Sequence, residues 1–176
     1  MIEAAIVMPL LVTLVMGIID FGMVFSDMQT VGSASRQGAR SGVAYSRQSG
    51  YDQQVTAAVA AALQARTTGT PLELWIYAAD TSVGDEDAPI GFPNFEDCVT
   101  KCLKYTWSGS AWQLAGGSGW AWNTMRTGCL GSDDFDVMGV RVKVRHNLVT
   151  GLFGDDITLT DKTVMRLEPQ PLATCG

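Results

Sequence analysis

From Ala4 to Ile19 the chain carries no charged residue, and Thr13 is its only conventional polar one. The run is apolar on every side rather than striped, which separates it from an ordinary surface helix. Continuing through Phe25, with Asp20 as the one internal charge, it reaches the roughly 20 residues that cross a bilayer core. Ala4–Phe25 is therefore expected to be a single transmembrane helix. The competing reading is a buried core helix, because a carboxylate such as Asp20 is costly in lipid. Pro9 removes an N–H that the carbonyl of Ala5 would accept, so a kink or local unwinding is expected there.

Beyond Phe25 the helix is expected to continue to about Ala44 with small and polar residues. Ala34, Gly38 and Gly42 recur every four residues, and such a stripe lets a second helix approach closely. Packing on the chain's own domain is one reading. An intermolecular helix seam is the sharper one. Arg36 and Arg40 fall on a different face. Residues 1–46 thus form a long helix, and 47–176 form a separate head.

In the head, Val55, Ala58, Val59, Ala62 and Leu63 recur at helical spacing, which predicts a second helix over Asp52–Arg66 with Asp52 as its N-cap. Pro71 breaks the chain. Leu72–Ala79 reads as a strand. Lys101–Trp107 and Ala111–Ala115, joined by Ser108-Gly109-Ser110, read as a hairpin. Val140, Val142 and Val144 alternate with Arg141, Lys143 and Arg145, the pattern of a half-buried strand with a basic outer face. The connection 147–156 holds Leu148, Val149, Leu152 and Phe153, an apolar turn expected to pack on the core. Ile157–Leu167 is the last strand. The expected class is α+β: a long helix, a second helix, then an antiparallel sheet.

Composition sharpens this division. Residues 1–68 hold four acids and four bases, so residues 69–176 carry the whole net charge of −6. An acidic head does not suit a phosphate backbone, so nucleic acid is not expected as the main partner. A charged share of 17% with 47% hydrophobic residues excludes a disordered tail. No base precedes the apolar run, unlike a cleaved signal peptide. Read literally, the positive-inside rule would put the head in the cytoplasm. A basic leader preceding Met1, removed or left out, is the expected resolution.

The apolar front allows a narrower comparison. Ile2-Glu3-Ala4-Ala5-Ile6-Val7-Met8-Pro9-Leu10-Leu11 resembles the VEFALVLPLL opening of tight-adherence (TadE/TadF-like) pilins, within the type IV pilin-like superfamily. Gly17-Ile18-Ile19-Asp20-Phe21-Gly22 resembles their G-I-I-[ED]-F-G segment, and Ala34-Ser35-Arg36-Gln37-Gly38-Ala39-Arg40 their A-A-R-E-G-A-R segment. Thr163-Val164-Met165-Arg166-Leu167-Glu168-Pro169 is similar to the close of some members. The front motifs span about a quarter of the chain; the middle of the head is not covered. The resemblance implies a prepilin cut by a membrane peptidase after a glycine. It also implies an acid at the fifth mature position, whereas Glu3 stands third here. Glu3 would pair with the amino terminus of a neighbouring subunit, which would neutralise a carboxylate in an apolar core. The other reading leaves Glu3 at the membrane surface. Asp20 would meet an arginine of a neighbour, such as Arg36, or reach the membrane interface.

An exported head is oxidised, so Cys98, Cys102, Cys129 and Cys175 are expected to form two disulfides. The expectation is that Cys98 and Cys102 each reach a distant partner, Cys129 or Cys175. Zinc is the alternative, but these spacings lack a second close pair. The acidic clusters 85–87, 133–136 and 155–156 match no calcium loop and read as solvated charge. Trp107, Trp112, Trp120 and Trp122 cluster around the hairpin, either packed against it or exposed for surface binding. The one histidine, His146, has no nucleophile or carboxylate beside it in sequence, and no phosphate loop, dinucleotide fingerprint or HExxH is present. No cofactor and no enzymatic activity are expected.

These readings converge on a structural subunit of a type IV-like, tight-adherence pilus. Its helix would hold the chain in the membrane and then join a filament core, and its head would face the cell exterior. The implied partners are other pilus subunits, the assembly machinery, the prepilin peptidase and, before assembly, the membrane. By family analogy a head of this size favours a minor pilin, with the main fibre subunit left open. The alternative is a membrane-anchored extracellular binding module or adhesin that does not polymerise.

Overall fold

The computed structural model describes residues 2–65, 67–79, 89, 95, 97–117, 120, 136–151 and 154–168. Helix α1 spans Ile2–Ala44 and α2 spans Tyr51–Gln64. Five strands follow: β1 (Thr70–Ala78), β2 (Cys102–Trp107), β3 (Trp112–Gly116), β4 (Val137–Asn147) and β5 (Asp156–Arg166). All pairings are antiparallel, in the order β3-β2-β1-β4-β5. The class is α+β with a pilin-like layout.

Helix α1 is 43 residues long and runs through Pro9 without a break, about 65 Å at 1.5 Å per residue. The local unwinding expected at Pro9 does not occur; a proline's fixed φ suits a helix, and the cost is a missing hydrogen bond. Helix α2 starts one residue earlier than its periodicity suggests. Its N-cap is Gly50, left-handed at φ 78° with no side-chain cap, so Asp52 is not the cap. Asp52 sits in the first turn and accepts a hydrogen bond from the Tyr105 hydroxyl at 2.6 Å. Tyr51, Val55, Val59 and Leu63 are the buried residues of α2, a single four-residue stripe. Pro71 does not end the preceding segment. It lies inside β1 beside a register shift between Pro71 and Glu73, a site where a ladder tolerates a missing N–H.

The sheet buries both faces unequally. Toward the helices, Leu74, Ile76, Leu103, Tyr105, Met138, Val140, Val142, Val144 and Leu159 form the main core with Val31, Ala34, Val55, Val59 and Trp120. On the other face, Trp75, Tyr77, Ala79 and Cys102 form a small core with Phe95 and Cys98 packed against it. Phe95 stands edge-on to both Trp75 and Tyr77. The Arg141 guanidinium lies 4.5 Å from the Phe95 ring centre, and its burial pulls its pKa down, opposed by the charge of Glu73. The outer face of β4 is therefore basic but partly covered. Tyr77 lies so close to Gly139 that a Cβ there would sit 2.2 Å from the ring.

Two further expectations change. Cys98 is bonded to Cys102, with Cα atoms 5.6 Å apart, instead of each reaching a distant partner. The chain turns back on itself at Lys101, φ 48°, which brings the two sulfurs together. Gly117 closes over them, where a Cβ would lie 2.6 Å from the Cys98 sulfur. Cys129 and Cys175 lie outside the described residues, as do Trp122 and the acidic clusters 85–87 and 133–135. The turn after β4 is not folded onto the core: Val149 is 70% exposed, while Leu152 and Phe153 lie outside the described residues.

Candidate functional site

The two parts of α1 live in different surroundings. From Ile6 to Ile19 nearly every large side chain is exposed, including Leu10, Leu14 and Ile18. The helix is long and apolar enough to cross a membrane. At Asp20 the head begins. Asp20 is 1% exposed and accepts N–H bonds from Val149 at 3.0 Å and Thr150 at 3.3 Å. The Thr150 hydroxyl donates to its other oxygen. Asp20 therefore meets neither a neighbour's arginine nor open solvent; the turn between β4 and β5 takes up its oxygens.

One turn group further on, Asp27 is buried against His146, with Oδ2 2.7 Å from Nδ1. Thr68 adds its backbone N–H at 3.3 Å and its hydroxyl at 3.0 Å. The second ring nitrogen of His146 is buried without a partner among the described residues. Substrate cannot reach an enclosed pair, so its geometry serves to pin α1 to β4. Next, the Ser35 hydroxyl bonds the Asp161 carboxylate and lies 2.8 Å from the Thr163 hydroxyl. Asp20, Asp27 and Ser35 are seven and eight residues apart, a spacing that puts them on one helix face. Val24, Val31 and Ala34 lie between them on that face.

The small-residue stripe shares this face. Gly38 sits where a Cβ would meet Val59 at 2.6 Å and Val140 at 3.2 Å, and Gly42 where it would meet Met138 at 2.3 Å. Ala34 is fully buried in the main core. The stripe therefore admits the chain's own α2 and β4, not a helix from another subunit. An intermolecular seam at Ala34, Gly38 and Gly42 is corrected on this point: the space is already filled. The opposite face of α1 carries Phe21, Phe25 and Met28, all exposed, followed by exposed Arg36 and Arg40.

The tryptophans divide. Trp107 and Trp112 pack edge-on at 5.1 Å across the β2–β3 hairpin and are half-buried. Trp120 is fully buried against Tyr51, so it cannot belong to an exposed binding surface. Glu3 lies in α1, but its side chain is outside the described residues. A groove of about 550 Å³ between α1 and α2 is lined by Ser26, Gln29, Thr30, Ser33, Gln37, Ala61, Ala62 and Ala65, which supply no acid, base or thiol. Among the described residues no cluster of His, Cys, Asp and Glu could hold a metal ion.

The stretch of the chain that leaves the head bare is also the stretch that finds relatives. Residues 1–40 match the family model described as TadE-like protein. Searches of curated proteins and of solved structures return no match. The TadE-like segment spans the exposed apolar part of α1 and most of its docked part, and it stops short of α2 and the sheet. It supports a protein associated with a tight-adherence pilus. The contacts of Asp27 and Ser35 were not foreseen, because their partners lie 119 and 126 residues away. A signal was present nonetheless: polar residues at heptad spacing beside a small-residue stripe.

Proposed function

We propose that the chain is a structural subunit of a tight-adherence-type pilus, held in the membrane and then in the fibre by the exposed part of α1. The observation that carries this reading is that Ile6–Ile19 project bare from a folded head within the segment matching TadE-like proteins. An apolar surface of that length has to be covered, by lipid before assembly and by other subunits afterwards. The head lies outside the membrane. Its size supports a minor pilin, with prepilin peptidase and the pilus machinery as partners.

The test is fractionation of cells into membranes and sheared surface fibres. The wild-type chain is expected in the fibre fraction. Glu3→Ala is expected to keep a folded head and a membrane-bound chain while losing the fibre fraction. A wild-type chain found only in membranes would instead make it an anchored binding module.

A further inference from the structure

Asp20 does more than satisfy a carboxylate. It fixes the height of the β4–β5 turn on α1. All three of its described hydrogen bonds come from Val149 and Thr150, and it stands where the bare helix meets the head. The turn is held from its other side as well: the Leu148 N–H donates to the Asp155 carbonyl at 3.0 Å. This bracing leaves Val149 pointing outward, 70% exposed, beside Ile157 at 42%. On the helix at the same level, Phe21 and Phe25 are each 63% exposed.

Length sets what these side chains face. The eighteen helical residues from Ile2 to Ile19 span about 27 Å, against a hydrocarbon core about 30 Å thick. With that stretch in a bilayer, the level of Asp20 is the membrane–water boundary. The apolar surface of the turn is continuous there with the apolar helix. Aromatic side chains such as Phe21 and Phe25 suit that boundary, and a bonded aspartate can rest there.

We propose that the β4–β5 turn is a lipid-seated foot: Val149, with Ile157, Phe21 and Phe25, rests in the headgroup layer and sets the head upright on the membrane before assembly. Surfaces of this kind bury their apolar side about 5–10 Å into the headgroup–acyl boundary. The recess of about 140 Å³ between α1 and the hairpin, lined by Asp20, Phe21, Val24, Leu148, Asp156 and Ile157, then opens onto lipid. The Arg145–Asp156 pair, 3.8 Å apart, supplies the polar upper edge. This rests on the reading of α1 as a membrane anchor.

The test uses the full chain in phosphatidylethanolamine–phosphatidylglycerol vesicles, with p-benzoylphenylalanine placed singly at Leu14, Val149 or Leu114. Leu114 is exposed but aligned through Tyr105 and Leu74 with Val142, about 16 Å up the sheet from Asn147. After irradiation, lipid adducts are read by mass. The proposal expects adducts at Leu14 and at Val149, the latter about tenfold above Leu114. Adducts at Leu14 with only background at Val149 would overturn the foot and leave the anchor standing. Crosslinks from Val149 to a second copy of the chain would also overturn it, as a subunit contact. No adduct at Leu14 would remove the anchor reading and the foot with it.

Discussion

Residues 6–19 and 20–44 belong to one unbroken helix, yet they obey different rules. The first part is apolar all round and touches nothing in the head. The second is striped: Asp20, Asp27 and Ser35 alternate with Val24, Val31, Ala34, Gly38 and Gly42 along a face closed by α2, β4 and β5. Hydrophobicity alone makes the first part sticky without making it specific. Carboxylates and hydroxyls with fixed partners give the second part a single register. A helix can thus be anchor and core element in turn, with the change made at one aspartate.

The comparison is broken most strongly at Asp27. Asp27→Ala leaves His146 and Thr68 without their acceptor in a buried site, a loss of about 3–5 kcal/mol. Thermal unfolding of the full chain in detergent, followed by tryptophan fluorescence, should show a large drop in Tm with membrane association unchanged. Leu14→Asp should do the reverse. It places a charge mid-span at about 3 kcal/mol, so flotation with vesicles weakens while the head's Tm stays. If Leu14→Asp lowered the head's Tm, the two parts would not be independent.

Gly38→Leu sharpens the point about the stripe. A side chain there runs into Val59 and Val140, and overpacking of this kind costs about 1–3 kcal/mol. Head stability should fall even in monomeric chain at high dilution, which a seam between subunits would not produce.

The smallest effect concerns pH. Burial first, then the hydrogen bond and charge of Asp52, hold the Tyr105 hydroxyl well above its ordinary pKa of 10.0. The folded state keeps that proton when the unfolded chain releases it. Its contribution is therefore complete below about pH 10 and declines as pH rises above that value. Tyr105→Phe should flatten the alkaline fall in Tm relative to wild type.

Much of the fold was legible because strands announce themselves by period two. Val140, Val142 and Val144 against Arg141, Lys143 and Arg145 fixed β4 and its inward face, and Ser108-Gly109-Ser110 marked the β2–β3 turn. The long helix was equally plain. Long-range pairing was not, for physical reasons. Nothing local tells Asp20 that its donors are Val149 and Thr150, or Asp27 that His146 lies opposite, since those meetings depend on how β4 crosses α1. Cys98 and Cys102 were misread because their pairing depends on a left-handed residue, Lys101, which composition does not signal. Trp120 looked like its neighbours in sequence but is enclosed by the Tyr51 end of α2.

The division at Asp20 is tested most directly by scanning a nitroxide, one position at a time, from Ile6 to Val31 in the full chain reconstituted in lipid nanodiscs. Accessibility to dissolved oxygen and to a polar relaxation agent would be recorded at each position. The account predicts uniform, oxygen-rich lipid exposure through Ile19, followed by a helical period in which positions 20, 24, 27 and 31 are shielded from both agents. A shielded face already present between Ile6 and Ile19, or unshielded positions 24, 27 and 31, would contradict it.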